Sequence, residues 1–101
     1  YPVLGYPTTG FSYCRVTRSV HHPAYAELLS CLVEARKGAG LHQAQVAVRL
    51  GRPQSFVSKF EKGERRLDVI ELIVLCGVLG VNPATILGRV ADVLEETSLP
   101  L

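Results

Sequence analysis

The sequence predicts an all-α protein built as a bundle of five helices. Apolar residues recur three and four positions apart in successive segments, which is the spacing of one face of an α-helix. Glycine and proline separate these segments, and no pair of alternating apolar stretches indicates a β-hairpin. A chain of 101 residues is long enough for one helical core, so we expect a single bundle.

An irregular N-terminal arm is expected before the bundle, at residues 1–23. Five Pro and Gly residues punctuate it, which excludes a long helix. His21 and His22 are expected in a solvated loop, because no neighbouring Cys or carboxylate completes a metal site. The chain starts with Tyr and has no Met, so this start is not expected to be the native one. We divide the rest into a domain at 24–94 and a tail at 95–101.

The first helix is expected from Pro23, which suits a first helical turn, to about Lys37. Gly38 and Gly40 follow and are expected to end it. Its apolar face has spacings of three, four, seven and eight residues and consists of Tyr25, Leu28, Leu29, Leu32 and Val33.

Two short helices follow, at 43–50 and 53–61, joined by a tight turn at Gly51. Gly51 can adopt the positive φ that ends a helix, and Pro53 has a φ already suited to a first helical turn. Two helices that meet at such a turn form a helix-turn-helix, whose second helix can enter a DNA major groove. The apolar faces consist of Val46, Ala47 and Leu50 in the first helix and of Val57 and Phe60 in the second.

The last two helices are expected to complete the core. Asp68 is placed to cap the helix at 69–79, which is apolar almost all round and is therefore expected in the middle of the core. Gly80 ends it, and Asn82 and Pro83 begin the final helix. The inner face of that helix is expected to consist of Ile86, Leu87, Val90, Val93 and Leu94.

The net charge of +2 conceals a strong asymmetry. Eight basic and two acidic residues lie between Arg36 and Arg66, which gives +6, whereas one basic and five acidic residues follow, which gives −4. Positive charge on the helix-turn-helix suits a phosphate backbone, whose condensed counterions are released on binding. A merely solvated basic face is the alternative, and the turn motif makes it the weaker one.

Cysteine usage and hydropathy argue against several other classes of protein. Cys14, Cys31 and Cys76 match neither a disulfide framework nor a zinc spacing. Cys31 and Cys76 are interpreted as small core residues, and Cys14 is left unexplained. No apolar run approaches the roughly 20 residues that span a bilayer, and residues 1–23 show no basic region followed by an apolar stretch, so neither export nor membrane insertion is indicated. We expect a cytoplasmic protein that contacts no membrane.

Four linked segments carry a resemblance to a known family: EARKGAGLHQ, VAVRLG, QSFVSKFEKGERR and LCGVLGVNP. From about Tyr25 to Val90 the chain resembles the xenobiotic-response-element (XRE) family of helix-turn-helix proteins, which includes lambda-type phage repressors and Cro. More narrowly, it is similar to small stand-alone bacterial or phage regulators. The resemblance implies a lambda-repressor-like bundle and sequence-specific binding of double-stranded DNA in transcription regulation, with repression favoured over activation.

The resemblance also implies roles for individual residues. The candidate base-reading residues are Gln54, Ser55, Lys59 and, as a more doubtful fourth, Ser58. The candidate phosphate-binding residues are Gln43, Arg52, Lys62, Arg65 and Arg66. Their chemistry fits, since Gln can bond adenine and Lys can donate to guanine, while contacts to phosphate position a protein without specifying sequence. Arg36 and Glu61 match a structural ion pair of the family.

Two positions depart from the family pattern. His42 stands where Ser or Thr commonly precedes the glutamine, so the cap of that helix is expected to be weaker or to use the imidazole. Pro53 lies near the usual capping Ser or Thr, which leaves Arg52 as a poor cap. The start of the second helix of the motif is therefore the least secure boundary.

The leading hypothesis is a DNA-binding regulator that acts as a homodimer on a two-fold-related site. The alternative is an antitoxin-like or adaptor protein whose arm or C-terminus binds a protein partner such as a toxin. An enzyme is the least favoured class, because the sequence shows no nucleophile with a base, no phosphate-binding glycine loop and no metal-ligand cluster. Neither a cofactor nor a metal is expected.

Overall fold

A computed structural model describes residues 22–97, which fold into five α-helices with no strand. The helices are α1 (Pro23–Gly38), α2 (Gln43–Leu50), α3 (Gln54–Glu61), α4 (Val69–Leu79) and α5 (Pro83–Thr97). The predicted all-α, five-helix class is confirmed. The arm before His22, with Cys14 and His21, and the tail from residue 98 lie outside the described residues. The domain limits at 23/24 and 94/95 stay a prediction.

The ends of the helices follow the local chemistry of the chain. Gly51 and Gly80 adopt φ values of +70° and +75° immediately after α2 and α4, a conformation that a Cβ disfavours. The Asp68 and Asn82 side chains accept backbone N–H bonds of 2.7 and 2.9 Å at the starts of α4 and α5. The predicted caps and stops at these four positions are confirmed.

The start of α1 differs from the expectation. His22 is only 2% exposed, and its Nδ1 accepts a 3.0 Å bond from the backbone N–H of Ala24. The prediction of a solvated loop is therefore wrong for His22. His22 instead caps α1 from a buried position.

One apolar core holds the helices together. Cys31 and Cys76 are buried in it as expected, and burial raises the pKa of both thiols. Side chains from all five helices, and Leu67 from the α3–α4 loop, contribute to it. The most deeply buried apolar residues are Leu32, Val46, Val57, Phe60, Leu75 and Cys76, all at most 1% exposed.

The helix α4 is buried on one side only. Leu72, Leu75, Cys76 and Leu79 face the core, but the other side of the helix is open, with exposed fractions of 68% for Val69, 68% for Ile70, 50% for Ile73 and 51% for Val74. The prediction that α4 lies in the middle of the core is wrong. Leu87 of α5, predicted on an inner face, is likewise 48% exposed.

Candidate nucleic-acid interface

The structure brings α2, the turn at Gly51 and α3 together as a helix-turn-helix. The first helix has its predicted limits, but α3 begins at Gln54, and Pro53 is the extended residue before it, with φ −64° and ψ 153°. The predicted start of the second helix at Pro53 is therefore wrong by one residue, and Pro53, not Arg52, occupies the capping position. Proline has no side-chain acceptor, so α3 starts without a side-chain cap.

The four candidate base-reading residues lie on one side of α3. Gln54, Ser55 and Lys59 are exposed and Ser58 is half-buried, and their spacings of one, four and five residues keep them adjacent on a helix. The opposite side of α3 is buried through Phe56, Val57 and Phe60, which are 9%, 0% and 1% exposed. Core packing therefore fixes which side of α3 remains available for a ligand.

An ion pair and an amide hold the C-terminal end of α3 in place. Glu61 accepts two bonds from the Arg36 guanidinium, 2.7 Å from Nε to Oε2 and 3.2 Å from Nη2 to Oε1. Gln43 Nε2 donates a third bond of 2.8 Å to Oε1, and Arg36 Nη1 donates to the Leu41 carbonyl at 3.0 Å. The cluster joins α1, the loop after it, α2 and α3, so it adds to core packing in holding the orientation of α3.

A second cluster lies at the N-terminal end of α3, around the ring of Phe56. The guanidinium carbons of Arg52 and Arg65 lie 4.7 and 4.5 Å from the ring centroid, within cation–π range. Glu71 on α4 accepts two bonds from Arg65, of 2.9 and 3.0 Å, and lies 3.4 Å from Arg52. These bonds hold the pKa of Glu71 below its usual range and raise that of Arg65.

The basic residues of the motif fall into two groups. Arg36, Arg52 and Arg65 are paired with the carboxylates described above. Within residues 22–97, no ion pair involves Lys37, Arg49, Lys59, Lys62 or Arg66. The unpaired group includes Lys59 on the exposed side of α3 and Lys62 and Arg66 after its C-terminal end, so three basic side chains without a carboxylate partner among the described residues lie in this part of the motif.

Other kinds of site are not seen in the part of the chain that the structure describes. No three His, Cys, Asp or Glu side chains of residues 22–97 are placed to hold a metal ion. None of the five helices is long and apolar enough to cross a bilayer.

Comparisons with known proteins agree with this geometry. The sequence model of the helix-turn-helix family matches residues 32–86, which include α2, α3 and α4. The solved structure of an XRE-family like protein from Pseudomonas syringae pv. tomato str. DC3000 is similar, with a TM-score of 0.70 and 47% identity. The match covers 78% of this chain and 96% of that one. The chain belongs to the XRE family of helix-turn-helix proteins. No curated protein sequence matches it.

Membership of the XRE family decides the general function. The predicted resemblance to lambda-type repressors and Cro is confirmed by the family match and the similar structure. The chain is a DNA-binding transcription regulator of this family.

Two residues of the interface were missed in the sequence. Phe56 was not assigned to an apolar face, although it lies four residues before Phe60, and their rings are 5.6 Å apart in an edge-on arrangement. Glu71 was counted only among the acidic residues after the motif. The capping pattern of Asp68 with Glu71 three residues later was a signal for its place at the start of α4, but no local pattern indicates its pairing with Arg65.

The charge of Glu71 is expected to stabilise the fold in a pH-dependent way. Replacing Glu71 with Gln should lower the free energy of unfolding by about 1 kcal/mol at neutral pH, because Gln keeps the cap of α4 but not the charge pairs. Since the folded-state pKa of Glu71 lies below its unfolded value, this contribution is complete above about pH 4.3 and is lost as pH falls through the folded-state pKa.

Urea unfolding of wild type and Glu71→Gln at several pH values measures this effect. The difference between the two proteins should shrink in acid and be close to zero when the carboxylate is protonated in both states. Glu27→Gln is the matched control, because its partner Arg89 is 56% exposed and such pairs contribute little. A difference for Glu71→Gln that stays constant down to strongly acidic pH would contradict the assignment.

Proposed function

We propose that this regulator binds a two-fold-related site on double-stranded DNA as a homodimer, with α3 in the major groove, and represses transcription. The observation that carries the proposal is the exposed side of α3, where Gln54, Ser55 and Lys59 project together and no carboxylate is present. Amide, hydroxyl and ammonium groups are the donors and acceptors that read base edges. Ser58, half-buried, is the fourth and more peripheral reader.

The proposed phosphate contacts flank this helix. The side-chain amide of Gln43 donates one N–H to Glu61, and its second N–H is available for a phosphate. Gln43 lies at the N-terminus of α2, where the backbone N–H groups also favour an anion. Lys62 and Arg66 follow α3 and are exposed. Arg52 and Arg65 contribute positive charge while they remain tied to Glu71, so their phosphate contacts are weaker ones. This arrangement separates positioning contacts from base-reading contacts.

Repression follows from occupancy. A dimer that places two α3 helices about 34 Å apart would cover one face of the duplex, and at a site that overlaps a promoter this would block polymerase without any further contact. The alternative of an antitoxin-like or adaptor protein rests mainly on residues 1–21, which lie outside the described residues, and we do not adopt it.

The salt dependence of binding tests the proposal. A labelled library of duplexes should bind with an affinity that falls as salt rises, and Arg66→Gln or Lys62→Gln should reduce the logarithmic slope by about 0.9 for each phosphate that the variant no longer neutralises. Arg89→Gln is the control, since it removes the same charge from α5, where Arg89 pairs with Glu27 of α1. Salt-insensitive binding, no binding, or an equal effect of Arg89→Gln would contradict it.

A further inference from the structure

An uncharged apolar stripe runs along the outer side of α4. Val69, Ile70, Ile73 and Val74 are 50–68% exposed, and Gly77 continues the same side of the helix at the i+3 and i+4 spacings. Glu71, the one charged residue of α4, points away from the stripe toward Arg65. Continuous apolar surface of this kind marks an interaction site in soluble proteins.

The stripe extends toward α3 through a shallow groove. Ile70 and Val74 form one wall of a groove of about 160 Å³. Leu50 at the end of α2 and Phe56 at the start of α3 also line it. A molecule seated on α4 would therefore lie beside the helix-turn-helix, where the groove is apolar apart from Arg52 and Glu71, which pair with each other.

We propose that this stripe is the dimer interface, with the two α4 helices crossing antiparallel about a two-fold axis between Ile73 and Val74. The inference rests on the homodimer of the proposed function and names the surface that forms it. In this register Ile73 lies opposite Val74 of the second copy, and Ile70 lies opposite its Gly77. Gly77 is exposed and has no side chain, so in this register it leaves room for the larger isoleucine.

The composition of the stripe selects a second copy over other occupants. An interface about a two-fold axis uses the same patch on both subunits, so the patch has to complement itself. Large and small residues at equal distances from the axis meet this requirement, and an uncharged stripe can face its own copy without repulsion. A partner chosen by charge would need acidic or basic residues on this side of α4, and it has none.

The oligomeric state of the full chain in the absence of DNA tests the interface. Sedimentation velocity at micromolar concentration should show a dimer for the wild type and a monomer for Ile73→Glu, with the dimer dissociation constant raised tenfold or more, as for a central interface residue. Val48→Glu is the matched control, because Val48 is 79% exposed on α2 and should remain dimeric. The proposal is overturned if Ile73→Glu remains dimeric, or if Val48→Glu weakens the dimer as much as Ile73→Glu does.

A charge pair tests the antiparallel register. Ile70→Glu and Gly77→Lys should each weaken the dimer, whereas the double variant should recover it to within about tenfold of the wild type, since opposite charges then meet across the axis. Residues 70 and 77 of one chain are two helical turns apart, about 10.5 Å, so they cannot pair within the monomer. A double variant no tighter than the weaker single variant overturns the register.

Two further measurements separate failure of the interface from other failures. The thermal midpoint of the wild type should rise with protein concentration, because dimerisation stabilises the folded state. This measurement uses no variant, so it does not depend on whether a variant folds. A wild type that is monomeric at every concentration overturns the interface. Gln54→Ala with Lys59→Ala should stay dimeric; a dimer through α4 that selects no DNA sequence refutes the proposed function and leaves the interface standing.

Discussion

Replacing Glu61 with Ala is expected to lower the free energy of unfolding by about 3 kcal/mol. The Glu61 and Arg36 side chains are 8% and 12% exposed, so the change leaves a guanidinium with little water and no counter-charge. Gln43 loses its acceptor at the same time. Breaking one partner of such a pair costs far more than removing an exposed pair, because the remaining charge is already desolvated.

Urea unfolding measures this loss against two matched variants. Glu27→Ala removes one of the two carboxylates paired with Arg89, whose side chain is 56% exposed, and should cost less than about 1 kcal/mol. Arg36→Met combined with Glu61→Leu should cost less than Glu61→Ala alone, because no unpaired charge remains. Equal losses for Glu61→Ala and Glu27→Ala would contradict the role of Glu61 as the brace of α3.

Replacing Gln54 and Lys59 with Ala together is expected to remove most of the preference for the specific site. Each base contact of this type contributes about 1–3 kcal/mol of discrimination, so two contacts per subunit correspond to at least a hundredfold loss. Because both side chains are exposed and only Lys59 is charged, the fold should be unaffected and non-specific binding should fall only slightly.

Competition binding with specific and scrambled duplexes, at one fixed salt concentration, measures this loss. Arg89→Gln serves as the control, since it removes one positive charge far along the chain from α3. The specific affinity of the double variant should approach that for scrambled DNA, while the control keeps its preference. A double variant that still discriminates as well as wild type would show that other residues read the bases.

Much of the fold was predictable because local patterns decide it. Helical spacing located all five helices, and the capping chemistry of Gly51, Asp68 and Asn82 is confirmed by φ values and hydrogen bonds. The predicted first residue of α3 was wrong, because proline suits both the first helical position and the extended residue before it. Local sequence does not distinguish these two positions.

Burial was the part that the sequence predicted worst. The helix α4 is apolar almost all round, and such a composition does not reveal that the molecule buries Leu72 and Leu75 but leaves Ile70 and Ile73 largely exposed. Likewise, Glu71 of α4 pairs with Arg65 because the α3–α4 loop folds back against α4. The spacing of apolar residues along the chain does not predict such contacts.

The assignments to individual bases and phosphates remain predictions from family resemblance and exposure. The four candidate readers share one side of α3 and are accessible, which is a necessary condition for reading a groove. The base that each one contacts depends on how the protein sits on the duplex. DNA selection therefore gives information that neither the sequence nor the fold of one subunit supplies.

The most direct test of the central claim is selection of bound DNA from a random pool, with wild type and the Gln54→Ala, Lys59→Ala variant run in parallel. The account predicts a short two-fold-related consensus for the wild type, which becomes indistinct in the variant. A consensus that the variant reproduces unchanged would contradict base reading by these residues of α3. Recovery of no consensus by the wild type would contradict sequence-specific binding itself.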